Sequence, residues 1–223
     1  MTTPKSIQFL FATTCFITCL NAASFDCAKA RSKVEKAICN DPELGKLDEE
    51  LASAYKAALA SHPLPSYVRA RQVAWLKSLL DLDGPNVLPG LKAEYRTRVS
   101  HLKTASQVVV YSDAEEKFSY GGGDTAVELW PSPDTKWHIT IWGGFHHDPV
   151  NSEPNREVWV GCEFEGTFNE PFKQNGKNSA SSKEGESVSF VLTQQALGFG
   201  DDPAGCVGRG RIRSDELKRV PKK

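Results

Sequence analysis

Ser32-Lys33-Val34-Glu35-Lys36-Ala37-Ile38-Cys39-Asn40-Asp41-Pro42-Glu43-Leu44 contains two helix starts in close succession. Ser32 with Glu35 three positions later is a capping box, in which each residue satisfies a backbone N–H near the other. It opens a short helix toward Cys39. Asp41 followed by Pro42 is an N-cap with proline at the first helical position, where the missing N–H costs nothing.

Beyond Pro42, Leu44, Leu47, Leu51, Tyr55 and Leu59 lay one apolar stripe on a helix. His62-Pro63-Leu64-Pro65 ends it. Ser66–Leu80 predicts a third helix, with Val68, Gln72, Trp75, Leu76 and Leu79 along one side, and Asp83-Gly84-Pro85 closes it. Leu91–Lys103 predicts a fourth, with Leu91, Tyr95, Val99 and Leu102 on one face. Four short amphipathic helices make a small bundle.

Near residue 105 the period changes. Val108–Tyr111, Ala126–Trp130, Trp137–Trp142, Glu157–Phe164 and Val188–Leu192 are β-branched or aromatic runs separated by Gly, Pro, Asn and Asp. In the fourth run Val158, Val160, Cys162 and Phe164 share one face, while Trp159, Gly161, Glu163 and Glu165 share the other. Asn175–Gly185 is polar and reads as a mobile loop. The expectation is an α+β chain: a helical bundle over 24–104, then a small antiparallel barrel or sandwich over 105–223.

Residues 1–23 read as a secretory signal. Lys5 is the lone charge, an apolar run extends from Ile7 to about Leu20, and the small residues Asn21-Ala22-Ala23 follow. Cleavage after Ala23 is expected, giving a periplasmic or secreted protein. A lipid anchor on Cys15 or Cys19 is the alternative, but Thr14 and Thr18 stand where such signals carry Gly, Ala or Ser. Later runs are too short to cross a membrane, so no stable insertion is expected.

Four cysteines remain: Cys27, Cys39, Cys162 and Cys206. An even number in an exported chain points to disulfides, and four allow three pairings. Cys27–Cys39 with Cys162–Cys206 keeps each bond within one predicted domain. Loop closure is then worth about 3 and about 4 kcal/mol respectively. A metal reading has little support, because no CxxC pair exists and no His neighbours a cysteine.

Charge is unevenly distributed. Residues 24–104 carry 13 basic and 10 acidic side chains, a net of +3. Residues 105–208 carry 6 basic and 16 acidic, a net of −10, and residues 209–223 carry 7 basic and 2 acidic, a net of +5. An acidic field over the β half speeds association with basic partners. It also serves plain solubility.

Catalytic motifs are missing: no GxSxG, SxxK, P-loop or GxGxxG occurs. His146-His147-Asp148, with His138, fits no standard ligand spacing and reads as a polar turn before Pro149. Glu163 and Glu165 share a strand face, as a glycosidase pair could, but a solvated face is the commoner origin.

Binding elements are easier to place. Tyr120, Gly122 and Asp124 lie in Ser119-Tyr120-Gly121-Gly122-Gly123-Asp124, which is either a narrow loop able to enter a glycan-binding cleft or a turn before Ala126. Trp142 and Phe145 lie in Trp142-Gly143-Gly144-Phe145, either as interface anchors or as caps on a β core. Arg209, Arg211 and Arg213 alternate on a terminal strand, to meet a partner's carboxylates or to guard an edge.

Phe25-Asp26-Cys27, Ile38-Cys39-Asn40-Asp41-Pro42-Glu43-Leu44, Leu47-Asp48 and Tyr55 resemble the N-terminal domain of the LprI-like lysozyme inhibitor family. Arg71-Gln72-Val73-Ala74-Trp75-Leu76 looks like that family's Trp helix, and Leu91–Val99 like its closing helix. The family's second cysteine pair is absent: Leu79–Asp83 and Leu88–Leu91 carry no Cys. The loss of both members together supports pairing Cys27 with Cys39. Cys162–Gly166, Gly205–Gly210 and Leu217–Val220 resemble a C-terminal β domain of exported proteins.

The resemblance implies a protein that binds and inhibits a peptidoglycan-cleaving glycosidase, a lysozyme or lysozyme-like effector, in a protective role. A non-inhibitory periplasmic binding or scaffold module for glycan or an envelope protein is the alternative. No enzymatic activity, cofactor, metal or nucleic-acid partner is expected.

Overall fold

The computed structural model describes residues 23–82, 87–119, 123–131, 136–146, 159–168, 171–200 and 216–222. Four helices, α1 (Lys33–Asn40), α2 (Pro42–Ser61), α3 (Pro65–Ser78) and α4 (Val87–Lys103), precede an antiparallel eight-stranded barrel. Its strands are β1 (Val109–Ser112), β2 (Thr125–Pro131), β3 (Trp137–His146), β4 (Trp159–Phe168), β5 (Lys177–Ser181), β6 (Ser187–Leu192), β7 (Ala196–Phe199) and β8 (Glu216–Arg219). Each strand pairs with the next, and β8 returns to β1 through Tyr111↔Arg219 and Ser112↔Lys218. The fold is therefore α+β with a closed barrel.

Both helix starts have their caps. Ser32 Oγ accepts from the Glu35 N–H at 3.1 Å, and Glu35 returns by accepting from the Ser32 N–H at 2.8 Å. Asp41 Oδ1 accepts from the N–H groups of Glu43 and Leu44 at 3.0 and 2.9 Å, while its Oδ2 meets Lys92 Nζ of α4 at 2.8 Å. Cys27 and Cys39 are bonded, which ties the short 3₁₀ turn Cys27–Lys29 to α1. Leu44, Leu51, Ala54 and Ala58 of α2 pack against Leu91, Tyr95, Val99 and Leu102 of α4. Buried Asp48 accepts from the Tyr95 hydroxyl at 3.3 Å and from the Ser24 N–H at 2.8 Å.

Inside the barrel, Tyr111, Val127, Ile139, Phe164, Phe190 and Leu217 form a packed interior. Gly166 is required there, because a Cβ at that position would stand 2.8 Å from both the Phe164 ring and the Ser181 carbonyl. A third core lies between barrel and helices, with Tyr67 of α3 against Val110, Phe118, Trp130 and Trp142. For this reason β2 is buried along nearly its whole length. Val127 and Leu129 point into the barrel, and Ala126, Glu128 and Trp130 point at the helices.

Three expectations need correction. Asn175–Gly185 is not a loop: it contains β5, paired with β4 and β6, with Ala180 fully buried. Its Ser, Asn and Ala residues carry little strand preference, and sheet closure supplies what propensity does not. Asn175 and Gly185, the two ends of that segment, have φ of 64° and 87° and make the turns. Leu76 is 47% exposed rather than part of the α3 core. One side of α3 meets the other helices through Val68 and Trp75, another meets the barrel through Tyr67, and Leu76 lies with Val73 on the remaining side. Finally, β7 and β8 had not been anticipated as strands. The signal segment, Cys206 and the Cys162–Cys206 bond lie outside the described residues.

Asp41→Ala removes both the α2 cap and the Lys92 contact. It is expected to lower unfolding stability by about 1–2 kcal/mol in a urea titration, against a few tenths for exposed Glu49→Ala.

Candidate functional site

The joint between helices and barrel concentrates polar groups that neither half satisfies alone. Glu128, 3% exposed in the middle of an apolar strand, reaches out of the barrel toward the helices. One carboxylate oxygen meets His62 Nε2 at 3.2 Å, just past the end of α2, and the other meets His101 Nε2 of α4 at 3.1 Å. His62 Nδ1 accepts from the Leu64 N–H at 2.9 Å, so in this arrangement its ring proton sits on Nε2 and is donated to Glu128. Burial works to raise the Glu128 carboxyl, but the His101 and His62 contacts outweigh it and hold the group well below the usual carboxylate range.

Around this centre lie Tyr67, whose hydroxyl is 3.3 Å from Thr140 Oγ1 of β3, and two arginines. Burial pushes the Tyr67 phenol up, with the Glu128 charge adding to the effect. Arg71 of α3 lies 5.2 Å over the Trp142 ring and ion-pairs with Glu163 of β4. Arg98 of α4, 6% exposed, donates its Nε to Gln72 at 2.9 Å. Burial and the neighbouring Arg71 push its guanidinium down to about 10, which leaves it charged at neutral pH.

Arg71, Arg98, His101 and Glu163 of this group line an open cleft of about 570 Å³ between α3 and α4 on one side and β2, β3 and β4 on the other, and Glu128, His62 and Tyr67 lie behind it. Along one wall His101 stacks on Trp130, with centroids 4.4 Å apart, and Trp130 stacks on His138 at 5.3 Å. Trp75, Thr97 and Ser100 contribute from the helices, and Glu163 and Glu165 from β4. The cleft thus offers guanidinium and hydroxyl donors, carboxylate acceptors and ring faces, the equipment for orienting a polar ligand.

The residues singled out in the sequence fare unevenly. Asp124 turns its carboxylate back on the Ser119 N–H at 2.6 Å. Trp142 is 5% exposed and stacks with Phe118 beneath Arg71. Tyr120, Gly122, Arg209, Arg211, Arg213, His147 and Asp148 lie outside the described residues, as does the Phe145 side chain. Glu163 and Glu165 do share a face, and that face borders the cleft. No metal-ligand cluster occurs among the described residues.

Sequence reasoning passed over Glu128, Arg98, His62 and His101. Two of them left a signal. Arg98 falls three residues after Tyr95 and seven after Leu91, on the apolar stripe of α4. Glu128 interrupts an apolar strand whose two faces both read as buried. Comparison with known proteins finds no matching family model, no matching curated protein and no matching solved structure.

Glu128→Gln removes the buried charge facing two imidazoles and leaves one of them with an impaired hydrogen bond, which is expected to cost about 1–3 kcal/mol. Because the folded carboxyl is held below its unfolded value, its contribution is full above the unfolded range and fades as pH falls toward the folded one. Wild-type stability is therefore expected to drop between about pH 5 and pH 3 more steeply than that of Glu128→Gln, measured by urea unfolding at each pH.

Proposed function

We propose that this protein is an exported binding protein that inhibits a peptidoglycan-cleaving glycosidase, a lysozyme or a lysozyme-like effector, in a protective or immunity role. One observation carries the reading: the residues that bear the LprI-like resemblance work together as a single frame. Cys27 bonds Cys39, Asp41 caps α2 and meets Lys92, and Asp48 accepts from Tyr95. That the matched residues of this chain share one folded unit supports the reading. The net charge of −10 over residues 105–208 suits a basic target.

The cleft favours a second reading, a non-inhibitory periplasmic binding or scaffold module for glycan or an envelope protein. A recess receives a ligand, whereas an inhibitor that plugs an enzyme's groove needs a projection.

A turbidity-clearing assay tests the first reading. The purified, oxidised protein is expected to slow lysis by one class among c-, g- and i-type lysozymes and secreted bacterial effectors. The effect should weaken about tenfold or more between low and high salt, as an electrostatically steered encounter does. Unchanged lysis with excess protein against all of them defeats the inhibitor reading. Retention on purified peptidoglycan or with an envelope protein in a pull-down then supports the second.

A further inference from the structure

Arg98 breaks a general rule. Buried charges are paired, because moving an unpaired ion out of water costs several kcal/mol. Arg98 is 6% exposed, yet among the described residues no carboxylate ion-pairs with it. Its Nε goes to the neutral Gln72 Oε1, and its terminal amino groups, which are not among the fully buried unpartnered atoms, end at the cleft that Arg98 lines.

The nearby charges do not repair this. Glu128 is the buried carboxylate of the cluster, and both of its oxygens are already engaged by imidazoles. Arg71 adds a second, largely buried guanidinium, and its Nε is also unpartnered. The carboxylate that meets Arg71 is Glu163, whose side chain is 57% exposed at the edge of the cleft. The cleft is therefore lined by the cations Arg71 and Arg98, with the fully occupied Glu128 behind them and Glu163 as an anion borrowed from the surface.

The rim restricts what can fill the gap. Glu94, Glu163 and Glu165 border the cleft together with Arg71, Arg96 and Arg98, and Arg96 is engaged by Glu43, so one negative charge is easier to seat than two. A single carboxylate matches the planar fork of an arginine. The rest of the site suits a hydroxylated ring: Thr97 and Ser100 supply hydroxyls, Glu165 is an acceptor, and His138 and Trp75 are half-buried ring systems at the wall. A volume of about 570 Å³ fits a sugar-sized ligand.

We propose that this cleft is a binding site for a carboxylate-bearing sugar, whose acid group occupies the cleft end of the Arg98 guanidinium and competes with Glu163 for Arg71. The inference rests on the second reading above and narrows it from glycan or envelope binding to one ligand chemistry, met either as a free sugar acid or as an acidic residue of a wall polymer.

The test is titration of the whole exported protein with N-acetylmuramic acid, glucuronic acid, N-acetylglucosamine and inorganic phosphate, followed by calorimetry and tryptophan fluorescence. At least one of the acids should bind, with the neutral sugar and phosphate each about tenfold weaker or worse. Glu163→Gln, at an exposed position, should tighten the acid by about three- to tenfold by releasing Arg71. Arg98→Gln should abolish binding, with circular dichroism and melting as the check on folding. Binding of neither acid at about 10 mM, equal binding of the neutral sugar or phosphate, or unchanged or weaker binding by Glu163→Gln overturns the proposal. Retention on purified peptidoglycan separates the outcomes: a protein held by the wall that ignores both acids leaves the second reading standing and removes this one.

Discussion

The contact on which the arrangement turns is the carboxylate of Glu128, gripped from two helices at once. A barrel strand would ordinarily place a polar residue at that position in water. Here the strand lies beneath the bundle, and the carboxylate is kept charged only because His62 and His101 meet both of its oxygens. Such a group adds little net stability over an apolar substitute, but removing one partner is costly. Its effect is on geometry. His62 follows α2, His101 lies on α4, and Glu128 sits in mid-strand, so satisfying all three fixes how bundle and barrel meet.

That constraint sets the rest of the interface. With β2 pinned, the outward residues of β1, β2 and β3 become a floor: Val110, Ala126, Trp130, Thr140 and Trp142 face α3 and α4. Tyr67 seals the apolar end against Phe118 and Trp142, with edge contacts at 5.3 and 5.9 Å. At the other end Arg71 of α3 reaches Glu163 of β4, and the cleft opens beside that contact. The arginines lie at this border, too deep for full hydration yet close to the opening. The recess is thus a consequence of docking a small bundle on a wider barrel.

Much of this architecture could be read from the chain. Both helix starts were legible because capping is local: Ser32 and Glu35, or Asp41 and Pro42, need only their own neighbours. The period change near residue 105 was visible for the same reason. The strands that escaped notice are short and carry little strand preference of their own. Lys177–Ser181 has small polar residues and pairs because the barrel must close, and Glu216–Arg219 is a strand only beside Tyr111 and Leu197. The cleft was harder still. Its components come from residues 71, 98, 101, 128, 138 and 163, and only tertiary structure brings them together. Leu76 shows the limit of helical periodicity: 3.6-residue spacing puts it beside the stripe, but not which side of α3 a barrel will leave bare.

The Ser24 nitrogen, 2.8 Å from a carboxylate oxygen of buried Asp48, carries one more consequence. In the uncut chain that nitrogen is a neutral amide. If a peptidase cuts after Ala23, as the leader's small residues lead one to expect, the same atom becomes an α-ammonium facing a carboxylate. A cut one residue to either side places the charge elsewhere. The fold would then sense where such a cut fell, and a chain beginning at another residue would differ at this part-buried contact beside the helical core.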